Sequence, residues 1–264
     1  MNFLRLILLG IIQGLTEFFP VSSSGHLVLF QNLFGLKEPQ LFADVMLHLG
    51  TVLSLLVFLR KDLIQILAGL SRFCRNPLKN ASDPQVKLVF YLFLASIPTG
   101  LMGYFFSDFF ESLFASLKTV GLALLVTGTF LFLTKFSKEK KRNSWVHPFF
   151  IGILQGMAIV PGISRSGFTI GGALFLGWNR DQAARFSFLL SIPAILGASL
   201  FQFQKVDPST QPWLFLAVGS AVAAVFGYGA LVYLSKLVHQ GNFYSFAYYC
   251  FLVGMVALMA SFLL

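Results

Sequence analysis

Gly10-Ile11-Ile12-Gln13-Gly14, followed by Pro20 and Ser22-Ser23-Ser24-Gly25-His26, returns 142 residues later as Gly152-Ile153-Leu154-Gln155-Gly156, Pro161 and Ser164-Arg165-Ser166-Gly167. The offset holds from Gly10 and Gly152 through Gly35 and Gly177; only the prolines slip, by one residue. Both copies set polar residues and turn formers into an otherwise apolar chain. Such a repeat predicts two related membrane halves in which broken helices carry polar backbone to the bilayer interior. The copies differ where chemistry would need it: Glu17 and His26 belong to the first, Arg165 to the second.

Composition supports the bilayer. The chain has 264 residues, 56% hydrophobic and 11% charged, against roughly a quarter charged in soluble domains, and its mean hydropathy is +0.79. The 32 Phe residues suit a lipid-facing surface. A net charge of +9 does not point to nucleic acid, because the basic residues gather in two connections: Arg60, Lys61, Arg72, Arg75, Lys79 and Lys87, then Lys135, Lys138, Lys140, Lys141 and Arg142. That is the bias of cytoplasmic loops. Cys74 and Cys250 are distant and lack a CxxC partner, so neither a disulfide framework nor a zinc site is implied. The apolar N-terminus leads into Gln13 and Glu17 without a small-residue cleavage site and reads as retained.

A bilayer core needs about 20 helical residues. Six segments qualify: 42–60, 86–106, 118–135, 182–202, 212–235 and 244–264. Residues 3–16 with 25–35, and 148–159 with 167–177, are half-length pieces around Pro/Ser-rich turns. A half-helix of ~11 residues rises about 16 Å, enough to reach the midplane. The expected fold is therefore an all-α integral membrane protein with an inverted-topology repeat. Its first half, residues 1–136, holds a re-entrant helix–loop–helix at 3–36 and three spans. Its second half, residues 145–264, holds a hairpin at 148–177 and three more. Three spans per half is an odd number, which inverts one half relative to the other. With the basic connections inside, Asp108, Glu111, Lys205 and Asp207 lie outside, with both termini; Arg5 and Lys37 are isolated exceptions to the charge bias. The stretch 61–85 reads as a long loop with turns at Asn76-Pro77 and Asp83-Pro84, and 138–142 as a solvated linker. Pro98 and Pro193 sit inside predicted spans, where neighbouring helices re-satisfy the backbone.

The serine clusters are placed to cap half-helices starting near Gly25 and Gly167. Two converging helix N-termini, each with unpaired N–H groups, make an anion site suited to phosphate, and Arg165 adds a fork of donors matched to phosphate oxygens. An Arg at membrane depth is costly without a task or a partner. Glu17, with Gln13 one turn before it, has three roles open to it: holding a divalent cation, orienting His26, or neutralising Arg165. His26 has the chemistry of a general base, a general acid or a nucleophile on phosphorus. Asp44 and His48, at i and i+4, read either as residues backing the cavity or as an interfacial pair, the latter being favoured; Arg180, Asp181 and Arg185 read as headgroup anchors, with Arg185 alone in reach of the cavity.

The run Gln13-Gly14-Leu15-Thr16-Glu17-Phe18-Phe19-Pro20-Val21-Ser22-Ser23-Ser24-Gly25-His26 resembles the first motif of the bacterial undecaprenyl-diphosphate phosphatases of the bacitracin-resistance family. Pro161-Gly162-Ile163-Ser164-Arg165-Ser166-Gly167-Phe168-Thr169 resembles the second, and length, motif order and span count agree along the whole chain. The resemblance implies a multi-pass enzyme of the bacterial inner membrane, its site opening to the periplasmic side. Such an enzyme hydrolyses undecaprenyl diphosphate to the monophosphate, recycling the lipid carrier of peptidoglycan synthesis and lowering bacitracin sensitivity. It further implies metal or proton handling by Glu17, a nucleophile or phosphate contact at Ser23, a base or nucleophile at His26 and a phosphate clamp at Arg165. Gln13, Ser22, Ser24, Ser164, Ser166 and Thr169 fall on substrate-lining positions, and Mg²⁺ or Ca²⁺ is the implied cofactor. Gln13 departs from members that carry Glu there, so a two-carboxylate metal site does not carry over. The implied partners are the polyprenyl diphosphate and membrane lipids, with a homo-oligomer left open.

Inverted repeats with a midplane site are equally the architecture of secondary transporters, so a polyprenyl-phosphate flippase is the competing reading. The reactive groups on only one hairpin favour the enzyme.

Overall fold

The computed structural model describes residues 3–36, 40–140, 144–205 and 212–263. Lys37, Lys141, Arg142 and Asp207, each used above to assign loops to a side, lie outside the described residues. Thirteen α-helices and no strand are found among the described residues, as an all-α membrane protein requires. Six helices are long and apolar enough to cross a bilayer: α3 (Leu41–Phe58), α6 (Pro84–Phe105), α8 (Leu117–Leu133), α11 (Arg180–Phe203), α12 (Trp213–Gln240) and α13 (Phe246–Leu263). They coincide with the six predicted spans, and α6 and α11 continue past Pro98 and Pro193.

The motif stretches form four shorter helices: α1 (Phe3–Phe18) and α2 (Ser23–Leu33), then α9 (His147–Met157) and α10 (Arg165–Phe175). Ser22 and Ser164 are the N-caps of α2 and α10, accepting from the N–H groups of Gly25 and Gly167. The half-helices thus begin two residues before the predicted starts, because the first serine of each cluster caps and the next residue opens the helix. Both end alike. The N–H of Leu36 returns to Gln31 O and that of Gly35 to Asn32 O; the N–H of Trp178 returns to Ala173 O and that of Gly177 to Leu174 O. Gly35 at φ 72° and Gly177 at φ 87° supply the left-handed residue this ending needs.

The two hairpins pack on each other's halves. Helix α1 lies along α12 and α9 along α6, while α3 meets α11 and α8 meets α13. Between apolar helices in lipid, close approach and dispersion replace the hydrophobic drive. Gly10 and Gly152 permit it: a Cβ on Gly10 would lie 2.5 Å from Gly219 O, and one on Gly152 2.0 Å from Ala95 O. Outward faces carry large apolar side chains, as on α6, where Phe93, Leu101 and Tyr104 are exposed.

One predicted loop is a helix. Residues 60–75 form α4 (Arg60–Arg75), followed by α5 (Pro77–Asn80). Helix α4 turns Ile66 and Gly69 inward and keeps Arg60, Lys61, Arg72 and Arg75 outward. Leu63, Ile66 and Leu70 at spacings of three and four form its apolar stripe; the charged residues at its two ends, Arg60 to Asp62 and Arg72 with Arg75, made the segment look like a loop. The prolines stand where chain breaks were read: Asn76 caps α5 and Asp83 caps α6. A further short helix, α7 (Ser107–Leu113), follows α6.

Candidate active site

Proline cannot donate a hydrogen bond, and Pro20 lies where α1 gives way to the turn leading into α2. The carboxylate of Glu17, on the last turn of α1, points into the gap so made. Four side chains from four helices converge on it. Gln13 Nε2 donates to Oε2 at 2.8 Å, Ser23 Oγ donates to the same oxygen at 2.6 Å, and His48 Nε2 lies 3.3 Å from it. The guanidinium of Arg165 binds Oε1. Glu17 is 6% exposed and Ser23 8%, so the acid and its serine partner are buried, while Arg165 and His48 keep some accessible surface.

The two hairpins also touch through their backbones. Ser22, at φ 66° the one non-glycine residue of positive φ among the described residues, turns its hydroxyl so that it accepts from Gly25 N and also from Gly162 N at 3.0 Å. Strained backbone of this kind persists where its surroundings over-determine it. On the second hairpin Ser166 Oγ donates to Phe19 O, and the N–H of Ser164 donates to Thr127 Oγ1. The N-termini of α2 and α10 therefore face one small volume. Their first-turn N–H groups have no carbonyl of their own helix to bond, and helix starts of this kind attract anions. Within it, Arg165 Nη1 is buried without a hydrogen-bond partner among the described residues. An unpaired guanidinium N–H in a buried place costs free energy that a phosphate oxygen would recover.

Glu17, Ser23 and Arg165 are thus brought together, with Gln13 beside them and Ser22, Ser24, Ser164 and Ser166 around the turns. Two further residues stand apart. His26 does not touch Glu17; its Nδ1 is bonded to Ser22 O and its Nε2 to Tyr249. The Thr169 hydroxyl donates to Arg165 O and meets Ser187 Oγ of α11 at 2.6 Å, so it braces α10 rather than facing the carboxylate.

His48, read from the sequence as an interfacial partner of Asp44 in preference to a residue backing the cavity, reaches the Glu17 carboxylate itself. Asp44 and His48 are linked through the backbone, by His48 Nδ1 to Asp44 O at 2.7 Å, while the Asp44 carboxylate accepts from Gln31. The imidazole is left free to turn to Glu17. Since a carbonyl only accepts, Nδ1 is the donor to Asp44 O, and Nε2 is the nitrogen turned toward Glu17. Arg185 is taken by Asp62 of α4 at 2.6 Å. A separate cavity of about 600 Å³, lined by Lys135, Trp178, Arg180, His239 and Tyr244, shares no residue with the Glu17 group.

A divalent cation fits here only as a companion of its ligand. Among the described residues no three His, Cys, Asp or Glu side chains gather as a metal cage. Glu17 is the single carboxylate, but Gln13 Oε1 is a buried oxygen without a partner. Mg²⁺ is commonly held by one or two carboxylates together with substrate phosphates.

Fold and site together define a polytopic membrane protein organised around a buried acid–serine–arginine centre between two helix N-termini. The sequence matches the family described as bacitracin resistance protein BacA over residues 6–256, and the chain belongs to that family. It is similar to proteins named undecaprenyl-diphosphatase in several organisms. Identity is 46% with that of Desulfosudis oleivorans, covering 96% of each chain, and 43% with that of Halothermothrix orenii, covering 98% of each. With that of Desulfatibacillum aliphaticivorans it is 41%, covering 99% of this chain and all of the other.

Proposed function

We propose that this protein is an undecaprenyl-diphosphate phosphatase, hydrolysing the lipid diphosphate to undecaprenyl phosphate and inorganic phosphate. The observation that carries the site assignment is the Glu17 carboxylate, held between the Ser23 hydroxyl and the Arg165 guanidinium where two helix N-termini meet. The terminal phosphate lies on the first-turn N–H groups of α2 and α10, with Arg165 Nη1 on one of its oxygens. Ser23 Oγ attacks the terminal phosphorus and its proton passes to Glu17, as the 2.6 Å hydrogen bond prepares. The bond to the bridging oxygen breaks and undecaprenyl phosphate leaves. A water, deprotonated by His26, then cleaves the phosphoserine and returns the serine hydroxyl. Mg²⁺ or Ca²⁺ held by Glu17 and Gln13 Oε1 would offset phosphate charge; the chain's own residues carry the proton transfers.

We infer, too, that the halves are inverted and that the site opens to the outer face of a bacterial inner membrane. The exchange of hairpins between halves supports the first point. Charge pairing supports the assignment of connections to sides: Lys205 meets Glu111 at 2.7 Å, joining two segments assigned to the outer side. Asp62 meets Arg185, joining two assigned to the inner side. Purified protein in detergent is expected to release phosphate from undecaprenyl diphosphate. Release that persists at the parental rate in Ser23→Ala would remove the serine from the mechanism.

A further inference from the structure

His26 is clamped at both nitrogens. Its Nδ1 lies 2.8 Å from Ser22 O, which can only accept, so Nδ1 carries the hydrogen. In the neutral ring the lone pair is then on Nε2, and the group facing it is Tyr249 Oη at 2.8 Å. The two ring planes are nearly parallel, 9° apart with centroids 5.7 Å distant. Tyr249 is the donor, and Nε2 is the one nitrogen of His26 able to take a proton.

Tyr249 comes from α13, 223 residues further along the chain, and is 43% exposed. Its neighbours on that face, Tyr248 and Leu252, are 58% and 65% exposed. A ring wet at one end and apolar along its body suits this boundary between lipid and a polar site. The other ionisable groups near His26 are Cys250 of α13, whose thiol donates to Pro20 O, and the Glu17–Arg165 pair of α1 and α10. Helix α8 packs Val120 and Leu124, with Leu117, against Val28 of α2. The phenol is thus the single polar side chain in contact with Nε2 among the described residues.

We propose that Tyr249 relays the proton in the hydrolysis. Its hydroxyl fixes the Nδ1–H tautomer of His26 and, because it occupies the Nε2 lone pair, gives its own proton to Nε2 as it takes one from the attacking water. This rests on His26 serving as the base in the second step. A donor on Nε2 stabilises the neutral ring, so losing it lets the protonated, inactive form persist to higher pH.

Tyr249→Phe keeps the ring and removes only the hydroxyl. The expected result is a fall in kcat of about ten-fold, a small part of the roughly 10²–10⁴ of positioned proton transfer. KM should be unchanged, and the acid limb of the kcat–pH profile should move to higher pH. In a His26→Ala background the same change should have no further effect. An unaltered Tyr249→Phe enzyme would overturn the proposal. So would a slower one whose acid limb does not move, since that is a packing effect alone. If His26→Ala retains full activity, the role of His26 falls and this proposal with it. If His26→Ala is impaired while Tyr249→Phe is not, only this proposal falls.

Discussion

Ser23 and Arg165 occupy the same position of the twin motifs, 142 residues apart, and both end on one carboxylate. Each is the first residue of its half-helix, after a capping serine. Ser23 donates to Oε2 of Glu17 and Arg165 to Oε1. The two equivalent helix starts thus present a hydroxyl on one side and a guanidinium on the other, with Glu17 between them. In the proposed mechanism the nucleophile and the phosphate clamp are therefore positional equivalents.

That arrangement predicts how Glu17→Gln fails. The amide cannot take the serine proton, and it leaves the Arg165 charge buried without a counter-ion. Breaking one side of a buried pair costs about 3–5 kcal/mol, so a large drop in the unfolding midpoint in detergent is expected along with loss of turnover. Combining Glu17→Gln with Arg165→Met should restore much of the midpoint and none of the turnover.

Arg165→Lys keeps the charge and removes the fork. A lysine can neutralise Glu17 or reach the phosphate, but it cannot span both as the two Nη groups do. Phosphate release at saturating substrate should fall by roughly 10²-fold, in the range of a lost oxyanion donor, with an accompanying rise in KM.

The capping serines should prove unequal. Ser164→Ala removes a cap, worth about 1 kcal/mol. Ser22→Ala removes a cap and also strands the buried N–H of Gly162, which adds about 1–3 kcal/mol. Thermal unfolding of the two variants should therefore place Ser22→Ala well below Ser164→Ala.

Outside the membrane, Arg72 hydrogen-bonds the Asp83 carboxylate and holds it below the usual range for that group. A depressed carboxyl contributes stability above its unfolded value, near about 4, and loses it as the pH falls through the folded one. Asp83→Asn should lower the unfolding midpoint slightly at pH 7. Its gap from the parent should close as the pH is taken below about 4.

The hairpins, their caps and the meeting of Glu17, Ser23 and Arg165 were legible in the chain because a repeat with a constant offset marks equivalent positions. Three features were not. Helix α4 hid because its short apolar stripe is flanked by charged residues, Arg60 to Asp62 before it and Arg72 and Arg75 after it. His48 stands four residues after Asp44, which suggested a pair, whereas its contact is with Glu17, 31 residues earlier in the chain. Its removal in His48→Ala should slow turnover by taking one of the four groups from the carboxylate. Tyr249 lies in a run of lipid-facing aromatic residues, and nothing local to α13 announces a partner in α2. Both residues are found only when distant helices are brought together.

The central claim is that Ser23, activated by Glu17, forms the bond to phosphorus. Rapid acid and alkaline quench of the enzyme turning over undecaprenyl diphosphate labelled in its terminal phosphate, followed by peptide mapping, tests it most directly. The account predicts acid-stable, alkali-labile label on Ser23, absent from Ser23→Ala and Glu17→Gln. Acid-labile label on His26, or full turnover with no labelled protein at any time, would contradict it.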